Sequence, residues 1–215
     1  MNEAWRRRRA DVARTFDTVA DLYRRSFAGE LEGKPADRAV LARMAAAVPA
    51  GRPVLEVGAG PGQVGAELAR HGVAVVVSDA SAGQLGQARV LHPERPLVLA
   101  DLGALPVGEA TLGGVLAFYC LIYGPVRDIE SVFADWARAL VPGAPVALAV
   151  HAGEGSIHAE AFEGRPVDLT VELRRPDALV DLLERTGFAV VERQERPPYP
   201  GEHPTERCCI VALRR

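Results

Sequence analysis

The sequence has 215 residues, of which 48% are hydrophobic and 25% charged, a balance typical of a globular domain rather than a disordered chain. A formal net charge of −3 provides no basic field for nucleic acid, and no apolar run reaches the roughly 18 residues of a membrane span. We therefore predict one substantial α/β domain with neither a nucleic-acid partner nor a membrane partner.

The cysteines favour a reducing environment. There are three, Cys120, Cys208 and Cys209, without a Cys-x-x-Cys motif. Neighbouring residues of a strand point to opposite faces, so Cys208 and Cys209 are poor disulfide partners. The N-terminal stretch is amphipathic rather than continuously apolar, which argues against a signal peptide. We expect a cytoplasmic protein.

The first fifty residues are predicted to be helical. In "DVARTFDTVADLYRRSF" apolar residues recur at three- and four-residue spacing and form one stripe. After "GELEGKP", the segment "ADRAVLARMAAAV" resumes a helix that Pro49 and Gly51 end. We predict that residues 1–50 form a helical lid that belongs to the same domain as residues 51–215.

From residue 51 onward, predicted strands alternate with predicted helices. Unbroken apolar runs are typical of strands that are buried on both faces of a parallel sheet, and the helices between them serve as crossovers. The last two strands have only a loop between them and can pair antiparallel at the sheet edge. The strands are predicted at 53–57, 73–79, 96–101, 113–123, 144–151, 188–196 and 207–215, and the helices at 62–72, 81–91, 129–141 and 175–187.

This pattern predicts an α/β fold, namely a doubly wound, Rossmann-like and mostly parallel sheet with an antiparallel C-terminal hairpin. Ligands of such sheets bind at the carboxyl ends of the strands, where the strand order reverses. The residues that follow each predicted strand are therefore the candidates for a binding site.

The stretch "VLEVGAGPGQVG" at residues 54–65 carries one acid and a glycine-rich turn. Glu56 lies inside the first predicted strand, and Gly58, Gly60 and Gly62 follow it. Glycine allows the backbone to approach a ligand closely and to adopt a positive φ angle. Any tight turn between a strand and a helix also uses glycine, so this turn alone does not identify the ligand.

The acid and the spacing of the glycines argue against a dinucleotide. A NAD fingerprint reads G-x-G-x-x-G, whereas the third position here is Gln63. A carboxylate at Glu56 would repel a pyrophosphate but would favour a cationic ligand. S-adenosylmethionine carries a sulfonium and an ammonium group and no phosphate. We predict that Glu56 and the loop from Gly58 through Ala59 to Gly62 hold its methionine portion.

Two further acids end the next two predicted strands. Asp79 is placed to accept hydrogen bonds from both ribose hydroxyls, and Asp101 is placed to accept one from the adenine amino group. Taken singly, Asp79 could cap the next helix and Asp101 could be a turn residue. Acids at three successive strand ends together suit a cationic nucleoside without phosphate.

With these motifs the sequence resembles the class I S-adenosylmethionine-dependent methyltransferases of the small, single-domain type that act on small molecules. "VLEVGAGPG" is similar to their first motif, "VVVSDAS" to the second and "LVLADLGALP" to the third, while "GGVLAFYCLIY" resembles the fourth strand and the loop after it. The resemblance implies that Asp101 and the backbone amide of Leu102 hold adenine. The cofactor-binding residues it implies are Glu56, Gly58, Ala59, Gly60, Gly62, Asp79, Ala80, Asp101, Leu102, Tyr119 and Tyr23.

The N-terminal helix departs in part from the family pattern. Family members often carry Tyr-Asp-x-x-Ala-x-x-Tyr in a helix that folds over the cofactor, and here Phe16 replaces the first tyrosine while Tyr23 retains the second. The resemblance implies that Tyr23 contacts the cofactor, and we assign Phe16 to the substrate side. The alternative for both residues is ordinary helix core.

The acceptor side is less specific. Similar enzymes often have a histidine where Tyr123 stands, and a tyrosine with a pKa of about 10 is a better ring wall or hydrogen-bonding partner than a base. His151 ends the fifth strand and is the candidate general base, unless it is a strand-end histidine bonded to backbone. Glu154 and His158 follow as candidate substrate-binding residues. The spacing of these last three residues matches no metal site, and we predict no metal.

The predicted function is that of a methyltransferase that moves a methyl group from S-adenosylmethionine to an O, N, C or S atom of a small-molecule acceptor, with a role in secondary metabolism among the options. The sulfonium already activates the methyl group, so the protein must mainly align the reactants. One alternative is a binding module that has lost catalysis and serves as a partner or regulatory subunit. Phe16 and Tyr123 support this alternative, because both positions depart from the family pattern. The other is a NAD(P)-dependent oxidoreductase. The protein is a monomer or a homodimer, and the sequence does not decide between them.

Overall fold

The computed structural model describes residues 3–215, with side chains from residue 7 onward, so the first two residues of the predicted lid lie outside the described residues. The helices are α1 (Glu3–Phe27), α2 (Pro35–Ala47), α3 (Gln63–Ala69), α4 (Ala82–Leu91), α5 (Val126–Ala139) and α6 (Pro176–Arg185), with a short 3-10 helix at Glu30–Gly33. The strands are β1 (Val54–Val57), β2 (Val75–Asp79), β3 (Leu97–Leu99), β4 (Gly114–Phe118), β5 (Pro145–Ala152), β6 (Ser156–Phe162), β7 (Arg165–Glu172), β8 (Phe188–Arg196) and β9 (Glu206–Arg214).

Seven strands form one sheet in the order β3-β2-β1-β4-β5-β9-β8. The neighbours from β3 to β5 pair in parallel, whereas β9 pairs antiparallel with both β5 and β8. The predicted fold class is confirmed, including the antiparallel C-terminal hairpin. The strand order reverses between β1 and β4, which is where a doubly wound sheet opens a crevice for a ligand.

Apolar layers cover both faces of this sheet. On one face α5 and α6 bury Phe133, Trp136 and Leu183, and on the other α2 and α3 bury Leu41 and Leu68. Truncation of a buried aromatic side chain of this size typically costs about 3–5 kcal/mol. The two packed layers therefore hold the strand ends rigidly in place beneath the site.

The fourth strand is shorter than predicted. It ends at Phe118 instead of continuing to Tyr123, because Tyr119 has a φ angle of 55° and leaves the extended conformation. The segment 119–123 is therefore a loop at the carboxyl end of the sheet, and its side chains are available to the site rather than to the sheet.

A second, two-stranded sheet of β6 and β7 follows β5, in a stretch where the sequence analysis predicts no strand. Glu163 and Gly164 join the two strands with φ angles of 47° and 78°, as a two-residue hairpin turn with two positive φ angles requires. The alternating polarity of 156–162 and 165–172 is the missed signal. It is weak, because the inward position Ala159 is a small residue and a register shift between Ala159 and Ala161 interrupts the alternation.

Helix α1 lies across the carboxyl end of the sheet and contacts α4 and β7. Asp17 accepts hydrogen bonds from the Ser81 hydroxyl (2.6 Å) and the Gly83 amide (2.8 Å), at the N-terminus of α4. Arg165 of β7 donates to the Thr18 carbonyl and forms an ion pair with Asp21 of α1. These contacts support the lid, which stays a prediction.

Candidate functional site

A cavity of about 580 Å³ opens at the carboxyl ends of β1, β2, β4 and β5, within the size range of small-molecule sites, roughly 300–1,000 Å³. Helix α1 and the β6–β7 hairpin cover it. Most of the residues predicted for the site line this cavity, namely Phe16, Tyr23, Glu56, Gly58, Ala59, Gly60, Asp79, Ala80, Asp101, Leu102, Tyr119, Tyr123 and His151.

The glycine turn after β1 has positive φ angles at Gly58 (57°), Gly60 (55°) and Gly62 (78°). A Cβ atom at Gly58 would lie 2.4 Å from the Cβ of Cys120, and one at Gly60 would lie 3.4 Å from the Tyr23 ring. Gly58 therefore needs glycine for both conformation and space, whereas Gly60 needs it for its positive φ angle alone. Gly62 does not line the cavity and instead begins α3 as its left-handed N-cap residue.

Glu56 is an unusual buried carboxyl group, only 2% exposed. Its Oε1 atom accepts a hydrogen bond from the Gly65 amide (2.9 Å), while Oε2 is buried without a hydrogen-bond partner among the described residues. Burial raises the pKa of Glu56 to about 8, although the Gly65 hydrogen bond acts in the opposite direction. A group that bears a positive charge would stabilise the ionised carboxylate here.

Asp79 organises the turn from the end of β2. Its two carboxylate oxygens accept hydrogen bonds from the amides of Gly60 and Ser81, each at 2.8 Å. Burial raises the pKa of Asp79, and these backbone hydrogen bonds oppose that shift. Each carboxylate oxygen retains acceptor capacity for a ligand hydroxyl. Beside Gly60, the Gln84 side-chain amide lies buried with neither atom hydrogen-bonded among the described residues, and the sequence analysis missed it.

Asp101 follows β3 and accepts a hydrogen bond from the Gly103 amide (2.8 Å). It also forms an ion pair with Arg9 of α1, whose side chain is 8% exposed. No sequence motif points to Arg9, which is the last of four consecutive arginines at residues 6–9. The Leu102 carbonyl accepts a hydrogen bond from the Trp136 indole (2.8 Å), so α5 holds this loop at the cavity wall.

Aromatic rings form the wall opposite the glycine turn. The Phe16 ring contacts those of Tyr23 and Tyr123 edge-on, with centroid distances of 5.5 Å for both pairs. Tyr23 also lies 5.8 Å from Phe162 of the hairpin. Phe16 and Tyr23 thus pack on each other and line the cavity at the same time. Burial raises the pKa of both Tyr23 and Tyr123, so neither is a base at neutral pH.

The far end of the cavity is polar and centres on His151. Its ring lies 5.3 Å from Tyr119 and 6.3 Å from His203, and its Nδ1 atom lies 2.7 Å from the Thr205 hydroxyl oxygen. Burial, together with the positive charge of Arg207, lowers the pKa of His151 to about 4. His151 is therefore uncharged and a weak base at neutral pH, which does not support the predicted role as a general base.

Tyr119 lies at this polar end rather than beside Asp79. Lys34 and Arg207 each lie 5.9 Å from the centre of its ring, and its hydroxyl is buried without a hydrogen-bond partner among the described residues. A positive φ angle at a bulky residue costs of order 1–3 kcal/mol. The surrounding structure therefore holds Tyr119 in this conformation against a local preference.

The structure places Glu154 and His158 outside the cavity. The Glu154 side chain is 76% exposed and forms an ion pair with Arg175 (3.5 Å). His158 is half exposed on the outer face of β6, where Thr170 is its neighbour at 3.3 Å. Side chains alternate between the two faces of β6, and His158 lies on the face turned away from the cavity. The structure therefore does not support the predicted contacts of Glu154 and His158 with the substrate. Among the side chains described from residue 7 onward, no group of three or more His, Cys, Asp or Glu residues is arranged to hold a metal ion.

The part of the chain that contains β1 to β4 is similar to known proteins. Residues 54–143 match a family model described as a methyltransferase domain. A demethylmenaquinone methyltransferase of Streptomyces avermitilis is 31% identical over 141 residues, which cover 64% of this chain and 59% of that protein. The chain thus matches less than two thirds of the length of this relative.

Two solved structures have a similar fold. A methyltransferase from Methanosarcina mazei has a TM-score of 0.70 at 15% identity, with 79% of this chain and 95% of that chain covered. Magnesium protoporphyrin IX methyltransferase from Synechocystis, crystallised with bound S-adenosylmethionine, has a TM-score of 0.71 at 18% identity, with 97% of both chains covered.

The fold, the matched domain and the features of the cavity agree with one another. The unpartnered Oε2 atom of Glu56, the unpartnered amide of Gln84 and the close backbone approach at Gly58 and Gly60 fit the cofactor that the resemblance implies. These findings agree with the predicted family, enzyme class and cofactor. Over residues 54–143 the chain is similar to a methyltransferase domain, and its fold is that of the S-adenosylmethionine-dependent methyltransferases among the solved structures.

Proposed function

We propose that the protein transfers a methyl group from S-adenosylmethionine to a nucleophilic atom of a small, largely apolar acceptor that carries a polar oxygen substituent. One observation carries this proposal. A single cavity joins the predicted cofactor residues at one end to a second compartment at the other, which α1, the β6–β7 hairpin and the loop 200–203 enclose.

The cofactor end has a role for each predicted residue. In this proposal Glu56 and the Gly58–Gly60 turn hold the methionine portion, Asp79 receives the ribose, and Asp101 with the Leu102 backbone receives adenine. The cofactor, when bound, supplies an activated methyl group on a sulfonium, so these side chains bind and orient rather than react.

The second compartment suits a ring system. Phe16 and Tyr123 line it in contact with each other, and Phe162, Leu169 and Val171 of the hairpin line it as well. Such walls exclude water and bind an apolar body, while a few polar groups orient it. The similarity to a relative named for demethylmenaquinone supports a hydroxylated or quinol-type ring as the acceptor.

His151, Tyr119 and Tyr123 are not suited to take a proton at neutral pH. The pKa of His151 is lowered to about 4, and burial raises the pKa of Tyr119 and of Tyr123. The acceptor atom must then be nucleophilic without a strong protein base. A phenolate or enolate, a neutral amine or a thiolate meets this condition, so O, N, C and S acceptors all remain within the proposal.

The alternatives fare differently. The similarity of residues 54–143 to a methyltransferase domain argues against the NAD(P)-dependent oxidoreductase. The binding module without catalysis remains the second candidate, because Phe16 and Tyr123 depart from the family pattern. The enclosed acceptor compartment favours an active enzyme.

We also propose a cytoplasmic location, because the three cysteines are buried and free, as in a reducing environment. No described helix is long and apolar enough to cross a membrane. Whether the protein is a monomer or a homodimer stays open.

Two experiments test the proposal. Calorimetry should show that S-adenosylhomocysteine binds and that Asp79→Ala binds much more weakly; no binding at millimolar concentration would overturn it. Product formation should then appear with members of a panel of phenols, quinols, amines and thiols. Binding without turnover across the whole panel would favour the silent binding module.

A further inference from the structure

The polar end of the cavity contains a chain of hydrogen bonds that runs between two strands. His151 of β5 lies directly opposite Arg207 of β9 in the antiparallel register. One guanidinium nitrogen of Arg207 donates to the hydroxyl and to the carbonyl of Thr205, and the other donates to the His203 carbonyl (3.1 Å). The Thr205 hydroxyl in turn lies 2.7 Å from Nδ1 of His151.

The direction of these bonds follows from the number of hydrogens. A guanidinium group can only donate, so the Thr205 hydroxyl oxygen is the acceptor toward Arg207. That hydroxyl has one hydrogen of its own, and among the described residues the partners of its oxygen are Arg207 and His151. Since Arg207 cannot accept, Nδ1 of His151 is the one of these two partners that can accept this hydrogen. In that arrangement the proton of the neutral imidazole is on Nε2.

We propose that Thr205 and Arg207 are positioning residues which hold His151 as the neutral Nε2–H tautomer, so that His151 donates a hydrogen bond to an oxygen atom of the acceptor. The role toward the acceptor rests on the proposed methyl transfer, whereas the tautomer does not.

The surrounding charges support a neutral ring. The groups that face His151 are Arg207, His203, Glu202 and Lys34, with the Tyr119 ring beside it. Burial and Arg207 outweigh the single carboxylate of Glu202 and lower the pKa of His151 to about 4. An imidazolium, which would place hydrogens on both nitrogens and break the bond from Thr205, is thereby disfavoured.

The tautomer narrows the class of acceptor. A fixed Nε2–H donor favours an oxygen that accepts hydrogen bonds, as in a phenolate, an enolate or a carbonyl next to the nucleophilic atom. The buried and unpartnered Tyr119 hydroxyl lies at the same end and adds a second possible donor. An alkylammonium or another group that only donates hydrogen bonds is disfavoured.

Nitrogen NMR of the ¹⁵N-histidine-labelled full-length protein tests the tautomer without any need for activity. The chain has five histidines, and the signals of His151 are those lost in His151→Gln. Between pH 6 and 8 we expect a protonated Nε2 and an unprotonated Nδ1, while Thr205→Val should produce a mixture of tautomers and Thr205→Ser should not. A protonated Nδ1 or an imidazolium in the unchanged protein at neutral pH would overturn the proposal.

Kinetics test the contact with the acceptor. Once an acceptor is found, Thr205→Val should lower kcat about tenfold while the Kd for S-adenosylhomocysteine stays within about twofold, and Thr205→Ser should restore most of the rate. The matched control is Thr170→Val, which removes a threonine–histidine contact at the exposed His158. Loss of the tautomer in Thr205→Val with an unchanged kcat would refute the role toward the acceptor. Failure of the whole methyltransferase proposal would instead appear as absent cofactor binding with the tautomer intact.

Discussion

Glu56 offers the sharpest test of how the site binds its cofactor. Its carboxyl group has a pKa of about 8 in the buried setting described here, against an ordinary value of 4.5. A bound ammonium or sulfonium group favours the ionised form. Binding of the cofactor should therefore expel a proton from Glu56, and Glu56→Gln should abolish that release.

The number of protons released follows from the pKa of Glu56 and the pH. At pH 7 a carboxyl group with a pKa of about 8 is roughly nine-tenths protonated, so binding should release about 0.9 proton if the bound form is fully ionised. Because the bound state holds fewer protons, affinity rises with pH. Between pH 6 and 7 the Kd should fall about tenfold, and the dependence should flatten above pH 8.

Calorimetry measures this directly. The binding enthalpy of S-adenosylhomocysteine at pH 7, plotted against the ionisation enthalpy of several buffers, gives the number of protons released. Glu56→Gln keeps a side-chain oxygen that can accept the hydrogen bond from the Gly65 amide, so it is a conservative control. Its slope should approach zero, and its Kd at pH 8 should be about tenfold weaker. Equal slopes for the two proteins, or a Kd that does not change with pH, would refute the argument, including the link between Glu56 and the cationic end of the ligand.

Three further predictions concern the framework of the site. A Cβ atom at Gly65 would lie 2.2 Å from Oε2 of Glu56, so Gly65→Ala should weaken S-adenosylhomocysteine binding at least tenfold and lower Tm. This loss should occur although alanine favours a helix over glycine by about 1 kcal/mol. The control Gly86→Ala in α4, where the space is open, should instead raise Tm slightly. Asp17→Ala should loosen α1 from α4 and be seen as faster amide hydrogen exchange in α1 with an unchanged rate in α5; equal protection would contradict the lid. The pKa of Glu202, which contacts three cationic side chains, is lowered to about 2, so its stabilising effect is complete above about pH 4.5 and is lost as the pH falls toward 2. Glu202→Gln should thus lower Tm at pH 7 and leave Tm less dependent on pH between 5 and 2, and an unchanged acid denaturation curve would argue against this.

The strands of the parallel sheet and the acids at their ends could be predicted from the sequence, because each follows from a local pattern of residues. The first three strands of the parallel sheet are short apolar runs, and each contains or precedes an acid, so the sequence predicts that Glu56, Asp79 and Asp101 lie in one site. The rule that carboxyl ends of parallel strands meet at one edge supplied the rest. The cavity contains all three acids because this rule depends on topology alone.

Other parts depended on weak or misleading local signals. Strand β6 alternates in burial only as far as Ala159, a small residue, and a register shift follows, so its sequence resembles that of a loop. The ordinary pKa of histidine predicts a base at His151, whereas burial and Arg207 lower that pKa by more than the sequence indicates.

The sequence alone predicts the mostly parallel sheet with its C-terminal hairpin and the acids Glu56, Asp79 and Asp101, because these follow from residues that are close together in the chain. Contacts between distant segments become visible only in the tertiary structure. Arg9 and Asp101, at the proposed cofactor end, are 92 residues apart, and His151 and Thr205, at the polar end, are 54 residues apart. No periodicity or motif predicts such a pair, because the two residues meet only when the fold brings distant segments into contact. The burial that results then sets the charge and the hydrogen bonds of each side chain.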